Sequence, residues 1–216
     1  MSERKTRMSR GSKRPVAGRD EILDSARAIG VRDGWRAVTI RAVAHELGYA
    51  SPLLYEHFRD KEDLLTQIAV EALVLLEAKL TENLPKASRA AALTMSERYW
   101  TFMLAHPQLY RLMNGMDGVP IEREAVNRSA QSLCTVIGAV LRPLAGKNST
   151  DADAQTLADE LWALLHGMAT LYLDRSAPFD IERVTNAALR LITGNRARPV
   201  VHPRYLKGES SFASDR

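Results

Sequence analysis

Three features of the 216-residue sequence predict an all-α fold. Apolar residues recur at spacings of three and four along most of the chain, the signature of amphipathic helices. No β-branched run alternates with period two, as a half-buried strand would. Aromatic residues make up only 6% of the chain, with Gly at 12 and Pro at 9, which disfavours a turn-rich sandwich or barrel. With 45% hydrophobic and 26% charged residues the composition is that of an ordinary globular protein.

The helices can be placed in order, about nine in all. Ile22, Leu23, Ala26, Ile29 and Gly30 share one face of a first helix that ends at Gly34. Thr39 can N-cap a short second helix carrying Ile40, Val43, Ala44 and Leu47, stopped by Gly48. Ser51 followed by Pro52 offers an N-cap and a proline at the first helical position, opening a third helix through Phe58. Asp60 caps a fourth, with Asp63 placed for the reciprocal contact of a capping box, and Pro85 marks its end. Ser88–His106 is a fifth helix stopped at Pro107, and a short sixth runs to about Gly115. A seventh spans Ile121–Leu141, with Pro143 and Gly146 closing it. Asp151–Asp174 and Ile181–Thr193 complete the ordered region.

The ends differ in character from this body. Residues 1–17 carry six basic residues against Glu3 and almost nothing apolar, and read as a flexible cationic arm. Residues 196–216 read as a loose tail. The formal charge of +4 is therefore uneven: residues 1–19 are net +6, residues 20–195 net −5 and residues 196–216 net +3. The basic start is followed by no apolar stretch, so no secretory signal is expected. The longest uncharged stretches, Ser129–Leu141 and Leu161–Leu173, are 13 residues each, short of the ~18 a membrane span needs. A cytoplasmic protein is expected. The lone Cys134 excludes an internal disulfide framework and suits a reducing compartment.

The stretch TIRAVAHELGYASPLLYEHF has the features of a helix-turn-helix. Such a motif needs a small residue where its helices cross and a residue tolerant of positive φ in the turn. Ala44 and, four residues on, Gly48 meet these two needs, with Val43, Leu47 and Leu54 as buried positions. Two short core helices meeting at a glycine are the plainer alternative. Residues 18–65 resemble the DNA-binding domain of the TetR family of bacterial transcriptional regulators. The resemblance rests on ILDSARAIGVRDGW, Thr39-Ile40-Arg41, Leu47-Gly48-Tyr49, Leu54-Tyr55-Glu56-His57-Phe58 and Lys61-Glu62-x-Leu64. Trp162 to Gly167 is similar to the Trp-x-x-x-His-Gly element of one C-terminal subtype. The implied organisation is an arm over 1–17, a DNA-binding domain over 18–65, an effector-binding and dimerisation domain over 66–195, and the tail.

The resemblance implies that residues Ser51 to Phe58 lie in the major groove of double-stranded DNA. Tyr55, His57 and Lys61 would contact phosphates, with Thr39 and Arg41 as further phosphate candidates. Ser51, Pro52, Leu53 and Glu56 occupy positions facing base edges. No Arg, Lys, Asn or Gln lies between Ser51 and His57 to make a bidentate base contact. Leu53 suits a thymine methyl or helix packing; Glu56 suits a cytosine amino group or solvent.

For the second half the resemblance implies a small-molecule effector that alters DNA binding. Trp100, Met103, Tyr110, Met113, Cys134, Trp162 and His166 are the candidate pocket residues, with Phe102, Met116 and Met168 beside them. Each of them is equally suited to plain core packing. Gly167, inside a helix, suggests a bend or a close helix approach. The last two helices resemble the family's dimerisation element, and a two-fold dimer implies a palindromic operator. The five His and one Cys show no metal-ligand spacing, and no cofactor is expected. Cys134 and His166 have no evident third group to make a nucleophile–base pair, so an enzyme is not expected. The expected function is a repressor released by its effector. The alternative is a DNA-binding regulator or architectural protein without one.

Overall fold

The computed structural model describes residues 18–193. The basic arm of residues 1–17 and the C-terminal tail predicted from the sequence lie outside the described residues. Those described form α1 (Arg19–Asp33), α2 (Ile40–Leu47), α3 (Ser51–Leu54), α4 (Lys61–Thr81), α5 (Ser88–Ala105), α6 (Pro107–Met113), α7 (Arg123–Ala145), α8 (Asp151–Leu173) and α9 (Ile181–Thr193). There is no strand among them. The all-α expectation holds.

Helices α1 to α3 pack on one another, and α1 also touches α4 and α6. Helix α4 runs on to pack against α5, α6 and α7; α8 lies along α7, and α9 closes over α5 and α8. One apolar cluster extends from Ile22 and Leu23 through Leu64, Ile68 and Leu76 to Val184 and Ala188. Each fully buried Leu, Ile or Phe contributes roughly 1.5–3 kcal/mol, so the core holds the two halves of the chain together without a gap.

Polar contacts fix how the halves meet. Arg27 of α1 donates to Glu71 of α4 at 2.6 Å, and Arg19 donates to Gln67 at 3.0 Å. The indole of Trp35, in the turn between α1 and α2, donates to the carbonyl of Gln108 in α6 at 2.9 Å. Thr66 of α4 donates to the Glu62 carbonyl at 2.7 Å and accepts the Glu122 amide at 2.8 Å.

Several helix ends differ from the sequence reading, each for a local reason. Helix α4 stops at Thr81 rather than at Pro85. The Arg98 guanidinium reaches back to the carbonyls of Lys79, Leu80 and Glu82 and satisfies that terminus. Helix α7 begins at Arg123 rather than Ile121: Glu122 keeps an extended backbone as N-cap, at ψ 95°, and its amide donates to Thr66 of α4. Pro143 lies inside α7 rather than beyond it. A proline this near a C-terminus removes a single backbone bond, so the last turn survives to Ala145. Helix α8 opens with a capping box between Thr150 and Asp153 that the sequence reading passed over.

Candidate functional site

The helix-turn-helix is built as its local chemistry requires. The Thr39 hydroxyl accepts the Ala42 amide at 3.0 Å and starts α2. Gly48 ends it in the left-handed region at φ 70°, where a side chain would be strained. The Tyr49 amide then donates to the Ala44 carbonyl at 2.9 Å, closing the turn. Ala44, Val43 and Leu54 are buried at the crossing, while Leu47 is half-buried.

Helix α3 is shorter than expected. It runs only from Ser51 to Leu54, and Tyr55–His57 continue as a turn that Phe58 closes with a 3.0 Å bond to the Leu54 carbonyl. Ser51 is already helical; its N-cap is Ala50, which makes no side-chain cap. The Leu53 amide reaches the Ala50 carbonyl at 3.0 Å, which starts the helix one residue early. Asp60 caps α4 by accepting the Asp63 amide at 2.8 Å. The Asp63 carboxylate accepts from the Arg59 amide at 3.0 Å instead of from Asp60, so the expected capping box is shifted by one residue.

Pro52, Tyr55 and Glu56 are exposed on the outer side of this unit, Tyr55 to 55%. Thr39 and Arg41 are exposed, and Arg41 makes no ion pair among the described residues. Ser51, Leu53 and His57 are half-buried; Leu53 packs against the core, which is the packing role open to it from the sequence. The His57 Nε2 is buried without a hydrogen-bond partner among the described residues. Lys61 donates its ammonium to the Arg36 carbonyl at 2.9 Å, and partial burial lowers its pKa. Its charge thus sits beside the turn that carries Trp35.

The C-terminal half contains a buried polar chain. The Tyr99 and Tyr110 hydroxyls are 2.9 Å apart, and the Tyr110 hydroxyl is 2.7 Å from Nδ1 of His166. The Tyr99 ring stands edge-on to Tyr110 and to Trp162. Burial pushes Tyr110 up to about 12 and Tyr99 well above its ordinary value, so both keep their protons. Burial also lowers the pKa of His166, favouring neutral imidazole. With Tyr99 donating to Tyr110 and Tyr110 donating to Nδ1, both hydroxyl protons are used, and the imidazole proton falls on Nε2.

This chain brings Tyr110, Trp162 and His166 together around Tyr99, which the sequence reading did not single out. Tyr99 has no motif of its own, and only its position at the end of the chain marks it. Trp100, Met103 and Met113 are buried in the core, as are Phe102 and Met168, while Met116 is half-buried. Cys134 is half-buried, on a groove of about 630 Å³ between α7 and α8. Burial, and then the Asp159 carboxylate, push its thiol up to about 11. Among the described residues no group of His, Cys, Asp and Glu could hold a metal, and no helix is long and apolar enough to cross a membrane.

Known proteins share this arrangement. The family model for bacterial regulatory proteins of the tetR family matches residues 22–68, the stretch that folds into α1 to α3 and the start of α4. The model for the tetracyclin repressor-like C-terminal domain matches residues 92–192. The chain belongs to the TetR family. This TetR-family protein is 29% identical over 192 residues to an uncharacterized HTH-type transcriptional regulator of Mycobacterium tuberculosis, covering 83% of this chain and 82% of the relative. It is 31% identical over 70 residues to the HTH-type transcriptional repressor AcnR of Corynebacterium efficiens, covering 32% of this chain and 37% of that protein. A Rhodococcus sp. RHA1 structure of unknown function superposes with a TM-score of 0.67 at 25% identity, over 84% of this chain and 97% of its own. The TetR-family protein is a DNA-binding regulator of transcription, with an N-terminal helix-turn-helix and a C-terminal helical domain.

Proposed function

We propose that this TetR-family protein is a repressor that grips a palindromic operator as a homodimer and releases it when a small molecule binds the C-terminal domain. One observation carries the reading. The seven-residue helix α6 holds both ends of a continuous path: its Gln108 carbonyl accepts from Trp35 in the helix-turn-helix, and its Tyr110 bonds to His166 of α8. A ligand that displaces this chain changes α6, and with it the seat of the DNA-binding unit. A differential of ~1–3 kcal/mol between the two states is enough for such coupling.

In this reading residues 18–65 bind DNA and residues 66–195 bind the effector and dimerise. Tyr55, His57, Lys61, Thr39 and Arg41 contact phosphates, and Ser51, Pro52, Leu53 and Glu56 face base edges. The Trp162-x-x-x-His166-Gly167 element marks the C-terminal subtype and contributes Trp162 and His166 to the effector region, with Trp100, Met103, Tyr110, Met113 and Cys134. The dimer forms through α8 and α9. Gly167 is not at a close approach within the chain, since a Cβ there would meet nothing within 4 Å. Ala163 beside it is exposed, Leu171 is 45% exposed and Ile181 of α9 is exposed. Such a small and apolar face suits a second helix arriving from a partner protomer. The protein acts in the cytoplasm and performs no catalysis.

Selection of bound duplexes from random DNA, followed by competition with small molecules, tests the proposal. Enrichment of a palindrome, lost on adding a ligand that raises the melting temperature, is the expected result. Failure to enrich any palindrome overturns the dimeric operator reading. The close packing of Trp100, Met103 and Met113 favours one second reading, a DNA-binding regulator or architectural protein without an effector. Silence of a broad thermal-shift screen decides for it.

A further inference from the structure

We propose that the groove between α7 and α8 is a binding site for small organic cations, amines above all, and that it excludes carboxylates and phosphates. The inference rests on the reading of the C-terminal domain as the effector-binding half, and it names the ligand class. The groove, at about 630 Å³, has the size of a small-molecule site. Asn127, Gln131 and Cys134 present one face of α7 at helical spacing, and Gln155 and Asp159 face them from α8 at i, i+4. The helices touch at Gly138, where a Cβ would lie 3.5 Å from the Gln155 side-chain oxygen, and the groove lies beyond that contact.

The lining carries one charge. Asp159 makes no ion pair among the described residues; its carboxylate accepts from the Gln155 amide at 2.8 Å. No Lys or Arg lines the groove. An anion entering there meets an unneutralised carboxylate and loses solvation without return. An ammonium group gains Coulomb attraction and a charge-assisted hydrogen bond. The Asn127 and Gln131 amides, which make no side-chain hydrogen bond among the described residues, add donors and acceptors for the rest of the ligand. The field of Asp159 reaches the groove wall, as its effect on the Cys134 thiol shows.

Cys134 is the sole cysteine of the chain, so a thiol-specific reagent reports on this groove alone. The test measures the rate of methyl methanethiosulfonate labelling of the full-length protein, a reagent that amines do not consume, with matched pairs: phenethylamine against 3-phenylpropanoate, and tryptamine against indole-3-propionate. An amine at ten times its Kd is expected to slow labelling roughly tenfold, because only the free fraction reacts. The carboxylates leave the rate unchanged. Asp159→Asn, on an exposed position that the fold tolerates, weakens amine protection about threefold to fivefold, scored as a ratio within that variant. Equal protection by carboxylates, unchanged protection in Asp159→Asn, or no protection by either amine overturns the proposal. A compound that releases DNA without protecting Cys134 also overturns the groove while keeping the effector reading. Protection by an amine that leaves DNA binding untouched upholds the groove and counts against effector release.

Discussion

Gly30→Ala tests how the helix-turn-helix is seated on the rest of the molecule. In an ordinary helix interior this change stabilises by about 1 kcal/mol, since alanine is the better helix former. Here a Cβ on residue 30 would fall among the six-membered-ring carbons of Trp35. That ring is 1% exposed and is tethered by its N–H to the Gln108 carbonyl at 2.9 Å, so it has no free direction in which to yield. Overpacking costs about 1–3 kcal/mol, and losing the tether about 1 more. The net expectation is destabilisation by about 1–3 kcal/mol, a fall of several degrees in Tm for a chain of this length. Urea and thermal melts followed by circular dichroism measure it. Trp35→Phe completes a double-mutant cycle, because phenylalanine lacks the second ring. In that background the Gly30→Ala penalty shrinks by at least about 1 kcal/mol. A raised Tm for Gly30→Ala, or an identical penalty in both backgrounds, refutes the reasoning.

Other outcomes follow from the same contacts. Tyr110→Phe strands both the Tyr99 hydroxyl and the His166 Nδ1 and costs about 1–3 kcal/mol in urea titration, more than Tyr99→Phe, which removes only the terminal donor. Because burial lowers the His166 pKa, the unfolded chain takes up its proton first as pH falls below about 6.5. Stability is therefore complete above that pH and is lost towards the lower folded value, and melts of His166→Gln show a shallower loss between about pH 7 and about pH 5. Gly167→Leu finds open space within the protomer, so helical content by circular dichroism is retained while sedimentation shows monomers. Tyr55→Phe, at an exposed position, lowers affinity for every duplex by about threefold to tenfold without changing the preferred sequence. A changed sequence preference assigns Tyr55 to base reading instead.

The features legible in the sequence are those decided within a few residues. Thr39 as N-cap and Gly48 as the left-handed stop were readable because each acts on its own turn. Misreadings arose where a distant group intervened. Pro85 was a reasonable stop for α4 until Arg98, on the next helix, satisfied the carbonyls earlier. Ile121 had the right pattern for a helix start, but it is buried in the core and the next residue, Glu122, held by Thr66 of the distant α4, keeps an extended backbone. Lys61 was readable as a phosphate ligand by motif; its bond to the Arg36 carbonyl was not, because 25 residues separate them. Gly167 was readable as a bend or a close approach, yet a Cβ there would meet nothing within 4 Å inside the protomer.

By itself the sequence determined the helical class, the helix-turn-helix, the family and the uneven distribution of charge. These follow from periodicity, local capping and a motif of nearly fifty positions, all short-range properties. The tertiary structure alone decided that Tyr99 completes a chain with Tyr110 and His166. It also decided that Trp35 hangs from α6, and that Asp159 and Cys134 share a groove. Each of these joins residues from separate helices, and a one-dimensional pattern does not record how separate helices are rotated against one another. The burial that results is what gives a lone Tyr, Trp or Asp its chemistry.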